Sequence, residues 1–376
     1  MMIATLLAPG NETRVAITPN SAKHFIKSDF EVAIEKNAGL AASFRDQDYE
    51  HVGVSIQNKN NILEKANILL CINEPDPKDL EGLSQGALVI GHIDNEPESK
   101  LITWCKENQI TLVSMNLIPR ISRAQSMDSL SSQANLAGYR AVLEACSQFH
   151  RAIPMMMTAA GMIQPAKVLV LGAGVAGLQA IATAKRLGAV VYAFDVRRAA
   201  KEQVESLGAE FIEVSQDQDN ETKGGYASEM SEEYKKLQAE LIDQYAKLAD
   251  IIISTALIPG RKAPILLYQK TVAQMKPGSI VVDLATSRGG NCEVSVVDKT
   301  VKHGEITIIG VSNMAGLVPA TASELYANNL VHLINLLAQN PPEITLNPND
   351  EIIQQAVLCH QNQYLPFQVK KETQNA

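Results

Sequence analysis

Three glycines stand in the spacing of a phosphate-binding turn, at Gly172, Gly174 and Gly177. The apolar run KVLVL precedes them and the alanine-rich run QAIATAKR follows, which is typical of a strand, a tight turn and a helix. The N-terminus of such a helix binds a diphosphate through its free amides and its dipole. Asp195 ends the next apolar run, where a carboxylate accepts hydrogen bonds from a ribose. These four residues predict a dinucleotide site.

The charges around Asp195 bear on which dinucleotide binds. A carboxylate at this position repels a 2′-phosphate and therefore favours NAD over NADP. Arg197 and Arg198 follow closely, and an arginine there can accommodate that phosphate, so NADP remains the alternative. A glycine-rich turn that binds no ligand is the other alternative.

A polar stretch, PRISRAQSMDSLSSQANLAGYRAVLEA, precedes the glycines at residues 119–145. Arg120, Gln125, Asp128 and Ser131 give it hydrogen-bonding groups that a plain linker does not need. Serine and aspartate often cap helices, and this would explain Asp128 or one serine. It would not explain Arg120 and Gln125 as well, which favours a binding role for the loop.

The composition narrows the classes of protein. At 376 residues the chain is long enough for two domains, and 46% hydrophobic with 20% charged residues is an ordinary globular composition. A net charge of −8 argues against a nucleic-acid surface, which requires a basic face. The five cysteines are scattered and lack CxxC spacing, so we expect reduced thiols and no zinc site. We recognise no signal peptide, and the longest uncharged run, Val168 to Ala184, is shorter than a membrane span, so we expect a soluble chain.

Apolar runs alternate with amphipathic stretches in both halves of the chain. In the first half the predicted strands are MIATLLA, EVAIEK, ANILLCI, GALVIGH and ITLVSM, and the predicted helices are SAKHFIKS and SKLITWCKEN. In the second half the predicted strands are KVLVL, VVYAFDV, AEFIEV, ADIIISTAL, SIVVDLAT and ITIIGV. Such alternation predicts parallel sheets covered by helices.

The fold class that follows is α/β, with two Rossmann-like parallel-sheet domains joined by long helices and a cleft between them. The N-terminal domain takes residues 1–132 and is completed by the C-terminal tail, 326–376. The NAD-binding domain takes 133–325 and begins with a connecting helix at 133–150. We assign the cluster Met155 to Met157 to packing, because methionine fills irregular cores.

Taken together, these segments resemble the soluble NAD(H)-binding component, domain I, of proton-translocating nicotinamide nucleotide transhydrogenase, a family related to alanine dehydrogenase. The similarity runs through TRVAITP, RISRAQSMDSLSSQANLAGYRAV, PMMMTAAG, VLVLGAGVAGLQAIATAKRLGA, TALIPGRKAP and LATSRGGN. The second of these is the most specific, since alanine dehydrogenases share the others more loosely.

The resemblance implies roles for particular residues. The polar loop would hold a nicotinamide through Arg120, Gln125, Asp128 and Ser131, with Asp128 paired to the arginine. An acidic segment with a Gly-Gly-Tyr sequence would be a mobile loop that closes over the nucleotide. The cofactor-binding residues that follow from the resemblance and the glycine motif are Gly172, Gly174, Val175, Ala176, Gly177, Asp195, Val196, Arg197, Gly225, Tyr226, Thr255, Ala256 and Leu257.

The resemblance also implies partners that composition cannot show. NADH bound to this chain would pass hydride to NADP+ on an NADP(H)-binding partner domain, which is joined to a proton-conducting membrane subunit. The chain itself is expected to be a homodimer without membrane insertion. Its expected place is the cytoplasm, peripheral to the inner face of the cell membrane through its partner.

Two other functions remain open. An alanine dehydrogenase-like enzyme needs charged or proton-donating groups near the substrate carbon. Arg14 and His92 match that family's arginine and histidine, but CINEP has Cys71 and Asn73 where its lysine is expected. Transhydrogenation needs no such group, because its catalysis is the positioning of two nicotinamide rings. A non-catalytic NAD-binding module is the other alternative.

Overall fold

The computed structural model describes residues 1–214, 232–258 and 261–365. The chain divides into two compact units, with unit 1 formed by Met1–Gln133 and Val318–Ala376, and unit 2 by Ala134–Leu317. Both units are built on mainly parallel sheets, so the predicted α/β class with two domains is confirmed. The chain returns to unit 1 at Val318, eight residues before the predicted 326, because helix α10 (Pro319–Leu337) begins there and packs its buried face into the core of unit 1.

The N-terminal segment of unit 1 alternates strands and helices. Its elements are β1 (Met2–Thr5), α1 (Pro19–Lys27), β2 (Glu31–Glu35), α2 (Asp46–Glu50), β3 (Ser55–Gln57), α3 (Lys59–Lys65), β4 (Ile68–Asn73), β5 (Leu88–His92), α4 (Lys100–Glu107) and β6 (Thr111–Ser114). Helix α5 (Ser129–Gln148) then leads from unit 1 into unit 2.

Unit 2 and the returning chain complete the fold. The elements of unit 2 are β7 (Met156–Thr158), β8 (Gly161–Ile163), β9 (Lys167–Leu171), α6 (Val175–Arg186), β10 (Val190–Phe194), α7 (Ala200–Ser206), β11 (Glu210–Phe211), α8 (Glu232–Leu248), β12 (Ile251–Ser254), α9 (Gln269–Val272), β13 (Ile280–Asp283), β14 (Thr300–His303) and β15 (Ile306–Ile309). After α10 come α11 (Glu351–Ala356), β16 (Val357–His360) and β17 (Gln363–Tyr364). Short 3-10 helices lie at Leu40–Ala42, Pro77–Leu80, Met115–Leu117, Ser122–Met127, Thr286–Arg288 and Ala315–Leu317.

The sheet of unit 1 has the order β17-β16-β6-β5-β4-β1-β2-β3. Strands β1 to β6 pair in parallel, whereas β16 pairs antiparallel with β6 and with β17. Neighbouring residues of one strand face opposite sides, so Leu69 and Leu70 of β4 enter two different apolar clusters. The sheet is therefore buried on both faces, which is why its strands read as continuous apolar runs.

The sheet of unit 2 has the order β11-β10-β9-β12-β13-β15-β14, in which only β14 is antiparallel. Without β14 this is the doubly wound order of dinucleotide-binding domains. The strand order reverses between β9 and β12, and ligands bind at the carboxyl ends of strands at such a switch point. The segments after β9, β10 and β12 therefore form the candidate ligand site of unit 2.

Two sequence expectations need correction. The connecting helix begins at Ser129 rather than at 133, so Ser131 lies in its first turn. The packing role of Met155 to Met157 is wrong, because these side chains are between 39% and 75% exposed on or beside the β7–β8 hairpin. Within the described ranges, no helix is both long and apolar enough to cross a membrane.

Candidate functional site

The glycine turn of unit 2 joins β9 to α6, and each of its three glycines has a different structural role. Gly172 has a φ of +98°, and a Cβ there would lie 2.8 Å from Thr255 Oγ1. A Cβ on Gly177 would lie 1.8 Å from the carbonyl oxygen of Gly172, so only glycine lets helix and strand meet this closely. A Cβ on Gly174 would meet no atom within 4 Å, which leaves open space in front of the helix. The turn thus fits the diphosphate of a dinucleotide.

The first amides of α6 face that open space. The first helical bond runs from Leu178 N–H to the Gly174 carbonyl at 2.8 Å. The N–H groups of Val175, Ala176 and Gly177 precede it and lie at the positive end of the helix dipole. Val175 itself is 39% exposed, so the start of α6 lies at the surface of unit 2.

Helix α5 packs against the first turn of α6 so closely that a side chain at the point of contact would not fit. A Cβ on Gly138 would lie 2.0 Å from the carbonyl oxygen of Ala176. Gly138 is buried in the middle of a 20-residue helix, where glycine costs about 1 kcal/mol relative to alanine. Its packing against α6 explains the glycine, which the sequence analysis did not single out.

Asp195 follows β10 and is already fully hydrogen-bonded. Its Oδ2 accepts from the Ala173 amide at 2.7 Å and from Arg197 Nη2 at 2.9 Å. Its Oδ1 accepts from the Arg197 amide at 2.8 Å and from Arg197 Nε at 2.9 Å. The carboxylate therefore ties the glycine turn to the end of β10. Val196 packs against the apolar cluster beneath, so its backbone is what it offers to a ligand.

The segment after β12 lies beside the glycine turn. Thr255 Oγ1 donates to the Gly172 carbonyl at 3.0 Å, and the Thr255 amide donates to the carbonyl of Leu171 at 2.8 Å. Ala256 follows, partly buried, and Leu257 is 48% exposed. Unit 2 therefore brings together Gly172, Asp195 and Thr255 at the switch point.

Asn291 holds this segment in place, and sequence reasoning missed it. Its side chain is fully buried, and Oδ1 accepts from Ser254 Oγ at 2.7 Å and from the Ala256 amide at 2.9 Å. Nδ2 donates to the carbonyls of Ala256 and Pro264, both at 2.8 Å. One amide thus satisfies four groups of an irregular segment, which fixes the backbone of the candidate site.

In unit 1, the candidate nicotinamide loop covers residues 119–131 and includes the 3-10 helix Ser122–Met127. Arg120 and Gln125 are exposed, whereas Asp128 is partly buried. The Asp128 carboxylate accepts from the Ser131 amide at 2.9 Å and from Ser131 Oγ at 2.6 Å. Asp128 therefore caps the N-terminus of α5. This is the capping role that the sequence analysis gave as the alternative to ligand binding.

A buried polar network surrounds Arg14 in unit 1. Nε and Nη2 of Arg14 donate to the Glu12 carboxylate at 2.8 and 2.7 Å, and Nη1 donates to Gln133 Oε1 at 2.8 Å. Asn73 Nδ2 donates to Glu12 Oε2 at 2.8 Å. Although burial raises the pKa of Glu12, the hydrogen bonds and charge of Arg14 lower it to about 2. The arginine is thus neutralised by a carboxylate of its own chain.

His92 lies near this network but is not poised for proton transfer. Burial, and then the charge of Arg14, lower its pKa to about 3, so the ring is neutral at pH 7. Its Nε2 is 2.8 Å from Ser129 Oγ at the start of α5. Its ring also packs edge-on against Tyr326, whose hydroxyl donates to the Cys71 carbonyl at 2.7 Å. These contacts hold a neutral histidine in a packed environment.

Two expected site residues, Gly225 and Tyr226, lie outside the described residues. The site residues that sequence reasoning missed in unit 2 are Asn291 and Gly138, and both determine where backbone lies. A signal for each existed in the sequence. Asn291 follows two glycines, and Gly138 interrupts a helical pattern. Glycines in such positions often mark a tight turn or a close contact between backbones.

Comparison with known proteins places these observations in a family. Residues 8–137 match the family model "Alanine dehydrogenase/PNT, N-terminal domain", and residues 141–366 match "Alanine dehydrogenase/PNT, C-terminal domain". The chain is 42% identical over 367 residues to the first part of NAD(P) transhydrogenase subunit alpha of Rickettsia prowazekii, and the match covers 96% of this chain and 95% of that protein. It is 48% identical over 339 residues to the protein of the same name from Rhodospirillum rubrum, with 87% of each covered. The crystal structure of transhydrogenase from Sinorhizobium meliloti matches with a TM-score of 0.84 and 41% identity, over 96% of this chain and 99% of that one.

Proposed function

This chain belongs to the alanine dehydrogenase/PNT family, and we propose that it is the NAD(H)-binding subunit of a proton-translocating transhydrogenase. Its substrate is NADH, which gives hydride from its dihydronicotinamide to NADP+ held by a partner domain. NADH becomes NAD+ and NADP+ becomes NADPH, while no proton is exchanged with either ring. A proton-conducting membrane partner couples this reaction to proton movement.

The dinucleotide part of the proposal rests on the glycine turn and Asp195 in unit 2. The turn leaves open space before the amides of Val175 to Gly177, and the carboxylate stands at the end of the next strand. The proposed task of these residues is binding, with the nicotinamide oriented by Arg120 and Gln125 of the loop. Orientation alone contributes about 7–11 kcal/mol in well-aligned reactions, so no general acid is required.

The pairing of Arg14 with Glu12 favours transhydrogenation over an amino-acid dehydrogenase activity. An amino-acid dehydrogenase needs an arginine available for the substrate carboxylate, but here both partners are less than 10% exposed and bonded to each other. Asn73, in the CINEP segment where a lysine is expected, donates to the same glutamate. Burial and the charge of Arg14 lower the pKa of His92 to about 3, which does not favour a protonated imidazole as the proton donor at pH 7. These contacts favour transhydrogenation over amino-acid chemistry.

The proposed assembly is a homodimer, cytoplasmic and held at the membrane only through its partner subunit. The β7–β8 hairpin supports a contact between copies, because its large apolar side chains face outward. Met157 is 75% exposed and Met162 is 53% exposed. An apolar patch of this kind is costly in water and typical of an interaction surface.

The function is tested by a spectrophotometric assay of the purified chain with an NAD analogue whose reduced form is spectrally distinct. NADH, NADP+ and the analogue are supplied together, with and without a recombinant NADP(H)-binding domain of a transhydrogenase, so that NADH gives hydride to NADP+ and the NADPH formed gives it to the analogue. Turnover that requires this domain is the expected result. Oxidation of NADH by pyruvate and ammonium alone would instead identify an amino-acid dehydrogenase. Binding of NADH without turnover in either assay would leave a non-catalytic NAD-binding module.

A further inference from the structure

A buried amide of helix α10 is bonded to both ends of the segment that contains Asp128. Asn329 is 8% exposed. Its Nδ2 donates to the backbone carbonyl of Ser126 at 2.8 Å, and its Oδ1 accepts from Ser132 Oγ at 2.8 Å. The two bonded residues lie two positions before Asp128 and four positions after it. One side chain therefore bridges the candidate loop and the first turn of α5.

The orientation of this amide is fixed by its partners. A carbonyl oxygen can only accept, so the nitrogen of Asn329 must face Ser126 and its oxygen must face the hydroxyl of Ser132. Asparagine is also a poor residue for a helix interior compared with alanine or leucine. Its neighbours Leu330 and Leu333 belong to the apolar core, so a polar side chain in this position has no packing reason. The contact with the loop supplies the reason.

The bridged segment carries its own internal bonds. Asp128 caps α5 through Ser131, and the Ser132 amide donates to the Asp128 carbonyl at 3.2 Å. The Asp128 amide in turn donates to the Gln125 carbonyl at 3.3 Å. Fixing Ser126 and Ser132 therefore fixes the backbone on which Gln125, Asp128 and Ser131 stand.

Other contacts also hold this loop: Ala124 and Met127 are buried in the core of unit 1, and an ion pair joins the loop to α11. Arg123 donates from Nη1 and Nη2 to the two oxygens of Asp350 at 2.7 and 2.8 Å. The Arg123 side chain is 51% exposed, and exposed ion pairs contribute little because water and salt screen them. The buried amide of Asn329, in contrast, is shielded from solvent and bonds the backbone of the loop to α10.

We propose that Asn329 is a positioning residue for hydride transfer, which acts by holding the 119–131 loop against α10. It touches no substrate in this scheme. Its effect is carried by the backbone of Ser126 and by the start of α5. The catalytic part of the proposal rests on the proposed function, whereas the holding of the loop does not.

The first measurement is amide hydrogen exchange of the full chain, followed by mass spectrometry of peptides covering 119–135. Asn329→Ala removes both bonds, and Asn329→Asp keeps the acceptor for Ser132 while replacing the donor to Ser126. Asn328→Ala is the matched control, because Asn328 is the adjacent residue on α10 and is exposed. We expect faster exchange over 119–128 in both Asn329 variants and unchanged exchange in the control. The aspartate variant, which keeps the side-chain volume, decides the question if the alanine variant does not fold.

The second measurement separates binding from hydride transfer in the presence of the NADP(H)-binding domain. We expect a loss of transfer rate of about 10- to 100-fold, since a displacement of about 1 Å can cost about 100-fold, with the Kd for NADH within about twofold of wild type. Exchange and transfer rates equal to those of Asn328→Ala would overturn the proposal, as would equal losses in binding and transfer. If the wild-type chain transfers no hydride, the proposed function fails instead, and the exchange data alone decide whether Asn329 holds the loop.

Discussion

Arg197 forms a two-pronged ion pair with Asp195, in which Nε and Nη2 each donate to one carboxylate oxygen at 2.9 Å. The amides of Ala173 and Arg197 donate to the same two oxygens at 2.7 and 2.8 Å. A carboxylate offers about four lone-pair positions, so these four donors fill it. A ribose diol must therefore displace the guanidinium of Arg197 to bind Asp195. The same guanidinium partly neutralises the negative charge of Asp195, which would otherwise repel a 2′-phosphate.

Arg197→Ala should therefore sharpen the discrimination between the two dinucleotides. The variant exposes two lone pairs of Asp195 to the ribose and leaves its charge uncompensated. We expect NADH to bind as tightly as before or better, and the Kd for NADPH to rise roughly tenfold relative to that for NADH, which corresponds to about 1.4 kcal/mol. Fluorescence titration of both reduced dinucleotides measures this ratio. Arg186→Ala is the matched control, since Arg186 is an exposed arginine at the far end of α6, and an equal change in both variants would contradict the role of the pair.

Gly138→Ala should damage the dinucleotide site from the other side of α6. The added Cβ would lie 2.0 Å from the Ala176 carbonyl oxygen, so one helix must move. Such overpacking costs about 1–3 kcal/mol, which exceeds the gain of up to about 1 kcal/mol from replacing glycine in a helix. We expect a lower free energy of unfolding in urea and weaker NADH binding. Ser147→Ala, on an exposed face of α5, should change neither; a Gly138→Ala variant as stable as wild type would contradict the packing argument.

The elements of the fold that were predicted from the sequence are those written in local patterns. The buried parallel strands of both sheets read as apolar runs, and the glycine spacing marked the turn between β9 and α6. Strands β3, β7, β8, β14, β16 and β17 were not predicted. Strands β3, β14, β16 and β17 are short and lie at the outer positions of their sheets, and β7 and β8 form a separate exposed hairpin.

The contacts of the site that escaped prediction join residues far apart in sequence. Asn329 and Ser126 are 203 residues apart, and Arg14 and Gln133 are 119 residues apart. No local period or spacing marks such a pair. The methionine cluster failed for a related reason, because composition gives the adaptability of methionine but not whether the β7–β8 hairpin is covered.

Glu12→Gln should change how the stability of unit 1 depends on pH. The pKa of Glu12 falls from its ordinary 4.5 to about 2 on folding, so its contribution is present above pH 4.5 and is lost as the pH falls towards 2. This difference corresponds to about 3 kcal/mol at neutral pH. We expect the variant to be less stable than wild type at pH 7 and to lose the difference by about pH 2, in urea unfolding at each pH. An exposed acid on the same sheet, Glu31→Gln, is the control; the same stability loss at pH 7 and at pH 2 would contradict the linkage.

Met157→Asp combined with Met162→Asp should dissociate the proposed homodimer. Both side chains are exposed on the β7–β8 hairpin, so a charge there costs little in an isolated chain but opposes an apolar contact between copies. Sedimentation equilibrium over a range of concentrations should show a dimer for wild type and a monomer for the double variant. Leu40→Asp, which alters a side chain that is 57% exposed in unit 1, should remain dimeric. A double variant that is still dimeric would place the contact elsewhere.

Arg120→Ala and Gln125→Ala should separate orientation of the nicotinamide from binding of the dinucleotide. Both side chains are exposed on the candidate loop, so their removal leaves the core of unit 1 intact. We expect hydride transfer to the partner domain to slow by about 10- to 100-fold, because a misplaced ring loses the near-contact geometry, while the Kd for NADH changes little. Asp195→Ala should show the opposite pattern, since it removes both the ribose acceptor and the bond to the Ala173 amide. Stopped-flow transfer and fluorescence titration measure the two quantities. Equal losses of affinity in all three variants would mean that the loop binds NADH rather than orienting it.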